Sequence, residues 1–332
     1  MEQTKEPMLR VKDLSISFFT KQGEIQAVRG ISYDLQKGEV LGIVGESGSG
    51  KSVSSHGILR LLPENGVIQS GEVLFHGTDL LKLGRKDLEK IRGGKISMIF
   101  QDPMTALDPL FTIGSQLEES LKKHTSLTAS ERKGRMLELL NLVGINQPER
   151  RLMQYPHELS GGMRQRVMIA IALSCGPDLL IADEPTTALD VTIQAQIIDL
   201  LKELRQKLGM AIIFITHDLG VVSDICDKII VMYAGKVIEE GTSRQIFYEH
   251  RHPYTQGLLD SVPEVTTGKE ERLKPIPGNP PDMGALKEGC AFARRCPFAM
   301  NICVREDAPL FAIDETHASA CWLLARDYQK EG

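Results

Sequence analysis

Three apolar runs stand out along the chain, each ended by charge or glycine: VLGIVG (40–45), DLLIADEP (178–185) and MAIIFITHD (210–218). Their apolar positions are consecutive rather than alternating, which predicts strands buried on both faces. MLRVKDLSISF (8–18) and AVRGISYDL (27–35) are further extended runs separated by KQGE, and GEVLFH (71–76) and KISMIFQ (95–101) add two more. DKIIVMYAGKVIEEG (227–241) reads as a hairpin. Helical texture runs from about 115 to 175, for example SERKGRMLELLNLVG (130–144) with Ser130 as N-cap and a glycine stop, and returns in TIQAQIIDLLKELRQKLG (192–209). Strands alternating with helices predict an α/β fold on a largely parallel sheet. After about residue 245 the pattern dissolves into Pro-rich and irregular segments, HPYTQGLL, PIPGNPPDMG and a cysteine-rich end, which marks a domain boundary.

Composition alters this picture little. A chain of 332 residues fits one large domain with an extension. Its 42% hydrophobic and 25% charged residues are ordinary for a globular protein, and a net charge of −5 gives no sign of a nucleic-acid-binding face. No run of 18 apolar residues exists, so no membrane span is expected. MEQTKEPMLR is charged with no apolar core behind it, so no signal peptide is expected. The expected location is therefore the cytoplasm, where thiols stay reduced.

Candidate chemistry sits at the ends of the apolar strands. GESGSGKS fits G-x-x-x-x-G-K-[ST] between a strand and a helix and comprises Gly45, Glu46, Ser47, Gly48, Ser49, Gly50, Lys51 and Ser52. Such a loop turns backbone N–H groups toward phosphate oxygens at a helix N-terminus. Lys51 is expected on the β- and γ-phosphates of ATP, and the Ser52 hydroxyl on Mg²⁺. LLIADE (179–184) ends in two carboxylates: Asp183 is expected to hold Mg²⁺ and Glu184 to orient or deprotonate the attacking water. His217 ends the strand IIFIT, where sites of open α/β sheets collect, and could donate to the γ-phosphate. In LSGGMRQR (159–166), small residues open a helix, which suits a second anion site.

LSGGMRQR resembles the signature of ABC-transporter ATPase subunits, and its neighbours match in order: GESGSGKS, FQDP with Gln101, LSGGMRQR, LLIADEP, TALD with Asp190, and ITHD with His217. The resemblance covers about residues 8–245. It implies a P-loop ABC ATPase core over 5–245, with a mixed, mostly parallel sheet, an antiparallel β subdomain and a helical subdomain at about 102–175, followed by an irregular extension over 246–332. It also implies head-to-tail pairing with a second ATPase subunit. Each ATP then lies between one subunit's phosphate loop and the other's Ser160-Gly161-Gly162, and Asp190 is a further nucleotide-binding residue. Gln101 becomes the residue that senses γ-phosphate and Mg²⁺ near the membrane subunits, and Phe18, or else Phe19, the ring that stacks on adenine. FQDPMTALDP (100–109), HPYTQGLLDSVP (252–263) and PIPGNPP look like the oligopeptide/dipeptide-importer version. The partners this resemblance implies are a related ATPase subunit, two separate permeases, and indirectly an extracytoplasmic peptide-binding protein, with this chain peripheral on the cytoplasmic face. Related importers carry nickel, glutathione or oligosaccharide instead. A soluble ABC ATPase without a membrane partner is the more distant reading, against which stand a single phosphate loop and the lack of a heptad run.

Four of the six cysteines fall at the end of the chain: Cys290, Cys296, Cys303 and Cys321, with His317 nearby. Cys175 and Cys226 lie in apolar surroundings and read as core. Four thiolates can hold a [4Fe–4S] cluster or a tetrahedral Zn²⁺, and the gaps of 5, 6 and 17 residues are loose for a zinc knuckle. The family resemblance implies the cluster, although a proline usual before the preceding arginine is Arg294 here. His317 reads as a surface or supporting residue rather than a ligand.

Overall fold

The computed structural model describes residues 6–187, 189–261, 275–286 and 288–325. The chain divides into two compact units: Met1–Leu35, Val40–Leu81 and Thr216–Gly332 form the first, and Gln36–Glu39 with Lys82–Ile215 the second.

In the first unit, β1 (Leu9–Thr20) and β2 (Gly23–Leu35) form a long antiparallel hairpin that runs well beyond the two segments read from sequence. β3 (Val40–Val44) is buried at every position, as its unbroken apolar run requires. β4 (Gly66–Phe75) pairs with β1, and β5 (Thr78–Asp79) with β4, giving an antiparallel sheet in the order β2-β1-β4-β5.

The second unit holds β6 (Ile96–Ile99), β7 (Leu179–Asp183) and β8 (Ala211–Thr216), parallel and paired in that order. Each fully buried Leu or Ile in these strands contributes on the order of 2 kcal/mol of burial. Between β6 and β7 lies a helical segment in which Ile113–His124, Ala129–Leu142 and Gly161–Leu173 pack on one another. Helix Ile113–His124 buries Ile113, Leu117 and Leu121, one residue per turn. Helix Ala129–Leu142 begins one residue before Ser130. Its N-cap is Thr128, reciprocated by Glu131 in a capping box, because Glu131 stands at the third position and can reach back to the Thr128 N–H. Helix Val191–Leu208 separates β7 from β8 and is capped by Asp190.

Back in the first unit, β9 (Lys228–Tyr233) runs parallel to β3 and turns into antiparallel β10 (Lys236–Thr242), the expected hairpin. Two short strands, β11 (Phe311–Ala312) and β12 (Ala318–Ser319), extend that sheet in the order β11-β12-β10-β9-β3. The segment read as irregular thus adds strands to the sheet that carries the phosphate loop. Two-residue strands hold no periodicity for a sequence pattern to register. No helix among the described residues is long and apolar enough to cross a membrane.

Candidate functional site

The Gly45–Ser52 loop links β3 to helix Lys51–Ile58. Two of its glycines are demanded by close approach: a Cβ on Gly45 would lie 2.3 Å from the Met232 carbonyl oxygen, and one on Gly50 2.4 Å from that of Ala27. Both also have positive φ, which L side chains resist. No side chain caps the helix that follows, so its first N–H groups are not taken by a capping residue. Lys51 is only 5% exposed, and its Nζ donates to the carbonyls of Gly45 (2.7 Å) and Glu46 (2.9 Å). The Ser49 hydroxyl is buried with no hydrogen-bond partner among the described residues. A buried lysine, an orphaned hydroxyl and an uncapped helix start form a cradle suited to a phosphate chain.

Two further expected residues belong to this unit. Phe18 is half-buried with its ring over Gly66, and Phe19 is more exposed. His217 is exposed just after β8, followed by an Asp218 N–H that donates to the Thr216 hydroxyl.

The second unit gathers the carboxylates. Asp183 is buried at the end of β7. Glu184 takes a left-handed conformation, φ 46°, which costs a non-glycine residue about 1–2 kcal/mol. The surroundings fix it there: its N–H donates to the Ile215 carbonyl, its carbonyl accepts from Thr187 N–H, and its carboxylate accepts from Gln101 Nε2 at 2.8 Å and Thr187 Oγ1 at 2.9 Å. Gln101 and Glu184, 83 residues apart in sequence, therefore meet, and Thr187, which the sequence reading missed, joins them. Its signal was its place three residues after Glu184 in the turn.

The signature segment has a plain structural side. Ser160 is exposed and caps helix Gly161–Leu173 by accepting from the Met163 N–H. A Cβ on Gly162 would come within 3.0 Å of Ile193, whereas Gly161 is open. Asp190 accepts from the Ile193 N–H as the cap of its own helix.

Cys290, Cys296, Cys303 and Cys321 line one cavity of about 20 Å³ beside Phe292 and Trp322, and all four are free. Burial pushes the thiols of Cys290 and Cys296 up and that of Cys321 to about 11, with the neighbouring thiols adding to the rise. Four unpaired cysteines suit a thiolate-bound group in kind. Yet no three His, Cys, Asp or Glu among the described residues are arranged to hold a metal ion, and the cavity has room for about one water. His317 is not at the surface. It is buried, with Nε2 3.1 Å from the fully buried Glu239. Burial works against the Glu239 charge, but hydrogen bonds from His317, Thr255 and the N–H groups of Arg251 and His252 outweigh it and hold this carboxyl low.

Sequence reasoning also missed two residues of the extension that reach the phosphate loop. Tyr254 accepts the Glu46 N–H at 2.8 Å, and Arg295 grips the Glu46 carboxylate through both terminal nitrogens, at 2.6 and 2.9 Å. Both lie in segments that stand out in sequence, HPY and the arginine before Cys296, but nothing local reveals a contact 208 or 249 residues away.

Comparison with known proteins bears on the family and the fold. Residues 28–187 match the ABC transporter family, and 238–303 match the C-terminal region of oligopeptide/dipeptide transporters. The chain is 54% identical over 324 residues to the oligopeptide transport ATP-binding protein OppD of Bacillus subtilis, spanning 97% of this chain and 90% of that one. It is 52% identical to the dipeptide transport ATP-binding protein DppD of the same organism over 96% and 95% of the two chains. Among solved structures, the dimeric bacterial ABC transporter cassette MJ0796 superposes with a TM-score of 0.64 at 33% identity, over 71% of this chain and 99% of that one. A post-hydrolysis state of the same cassette, bound to ADP and Pi, superposes equally well. From its ordered motifs, its fold and these identities, the chain belongs to the oligopeptide/dipeptide transport ATP-binding proteins of the ABC transporter family.

Proposed function

We propose that this chain hydrolyses ATP to drive uptake of dipeptides or oligopeptides through separate permease subunits. The observation that carries the reading is the setting of Glu184: a strained carboxylate at a strand end, gripped by Gln101 and Thr187. In this reading Gly45–Ser52 binds the phosphates, with Lys51 leaving its two carbonyl partners to meet the γ-phosphate. Ser52, Asp183 and Gln101 would hold Mg²⁺, which supplies neutralisation of the developing phosphate charge when bound. Glu184 orients and deprotonates the attacking water, His217 donates to the γ-phosphate, and Phe18 stacks on adenine.

Ser160, Gly161, Gly162 and Asp190 serve the ATP of a second, related ATPase subunit, so hydrolysis needs a dimer seated on two permeases at the cytoplasmic face. An extracytoplasmic peptide-binding protein delivers cargo to those permeases. The division of labour is a motor over 5–245 and an extension over 246–332. In the assembled complex, Glu184→Gln should abolish turnover while ATP stays bound. Hydrolysis at the parent rate would overturn the reading.

The four terminal cysteines are proposed to take a [4Fe–4S] cluster, with Zn²⁺ as the alternative. Their number and free state are the donor set such a cluster needs, and uptake would require the thiols around the small cavity to move apart. Anaerobically purified protein should carry iron and acid-labile sulfide in equal amounts, lost in Cys296→Ser. Stoichiometric zinc without sulfide would reverse the assignment.

A further inference from the structure

Glu46 poses an electrostatic problem. It is the second residue of a loop built to receive a triphosphate, so its carboxylate places a negative charge where several more must bind. Lys51 donates to the Glu46 carbonyl oxygen.

The extension answers this with a buried arginine. The Arg295 side chain is 6% exposed, and each of its guanidinium nitrogens is engaged. Nε donates to the Pro277 carbonyl at 3.0 Å. Nη1 donates to Glu46 Oε2 and to the Tyr233 hydroxyl at 3.3 Å, and Nη2 to Glu46 Oε1 and the Ile276 carbonyl at 3.4 Å. A two-pronged arginine–carboxylate pair of this kind fixes orientation as well as charge. The guanidinium also lies about 6 Å from the ring centres of Tyr233 and Phe292. Tyr254 packs against both rings and receives the Glu46 N–H, so backbone and side chain of Glu46 are each held by residues from beyond position 245.

We propose that the C-terminal extension is a working part of the nucleotide site, with Arg295 and Tyr254 as positioning residues that neutralise Glu46 and preset the phosphate loop for a polyphosphate. This inference rests on the ATP-binding reading above. It implies that the extension cannot be trimmed without weakening nucleotide binding, even though it supplies no group to the phosphates.

The test is equilibrium titration of the full chain with ATP and with AMP. Arg295→Met should weaken ATP binding about tenfold, equivalent to about 1.4 kcal/mol, and AMP binding distinctly less, because the exposed Glu46 charge repels the longer phosphate chain more. Adding Glu46→Gln to that variant should return the ATP affinity to within about threefold of the parent, the coupling expected of residues in contact. Arg295→Met with unchanged ATP affinity, equal losses for ATP and AMP, or no recovery in the double variant would each overturn the proposal. If Arg295→Met does not fold, Arg295→Lys keeps the charge without the two-pronged geometry. An intermediate loss then supports the proposal, and none overturns it. Failure of the parent to bind ATP, or parent-like binding by Lys51→Ala, instead sinks the underlying reading of the loop.

Discussion

The phosphate loop and the signature segment are both glycine-rich and both open a helix, but their surroundings differ. In the first, Lys51 and Ser49 are buried, and Glu46 is tied by Tyr254 and Arg295 from the far end of the chain. In the second, Ser160 and Gly161 are exposed, and Ser160 spends its oxygen on capping its own helix. One glycine-rich helix start is enclosed and the other is left bare. A chain that carries one of each fits a protein whose nucleotide is closed between two subunits. In the reading proposed above, the contrast separates binding, assigned to the chain alone, from turnover, assigned to the assembled transporter.

The largest expected effect breaks the enclosed side. Lys51→Ala removes the buried charged donor and should weaken ATP binding of the separate chain by roughly a hundredfold, about 3 kcal/mol. This is measured by fluorescence titration. A smaller effect concerns how the cover is anchored. His252 is buried, accepts the Tyr254 N–H on Nδ1, and is held by burial at about 4 rather than 6.5. Between those values the unfolded chain binds a proton that the folded chain refuses. Stability is therefore complete above about 6.5 and falls as pH drops toward 4, by up to about 1.4 kcal/mol per pH unit. Thermal melts from pH 8 to pH 4 check this, and His252→Asn should flatten the slope. The smallest effect is Tyr254→Phe, which keeps the ring packing and deletes the acceptor of the Glu46 N–H. A loss of about three- to fivefold in ATP affinity is expected, the worth of one neutral hydrogen bond.

The same contrast explains what was legible in the sequence. The loop carrying Lys51 and the strand ends at Asp183 and His217 were readable because buried parallel strands are continuous apolar runs whose ends are marked by the first polar residues. The helix cap at Thr128 was misplaced by two residues because Ser130 is an equally good capping type, and only the partner Glu131 decides between them. The roles expected of Gln101 and Glu184 came partly from family resemblance, but their hydrogen bond did not. Nothing in the spacing shows it. The Arg295–Glu46 pair was illegible because a charge beside a cysteine reads as a solvated loop residue, and its burial comes from Tyr233, Ile276 and Pro277, far from it in sequence. Long-range polar contacts leave no periodic trace.

The most direct measurement is a paired ATP titration of the separate full-length chain carrying either Arg295→Met or Ser160→Arg. An enclosed phosphate loop and a bare signature segment predict about tenfold weaker binding in the first and a change of less than about twofold in the second, with Ser160→Arg losing turnover only in the assembled transporter. Binding that is lost in Ser160→Arg but untouched in Arg295→Met would contradict the account.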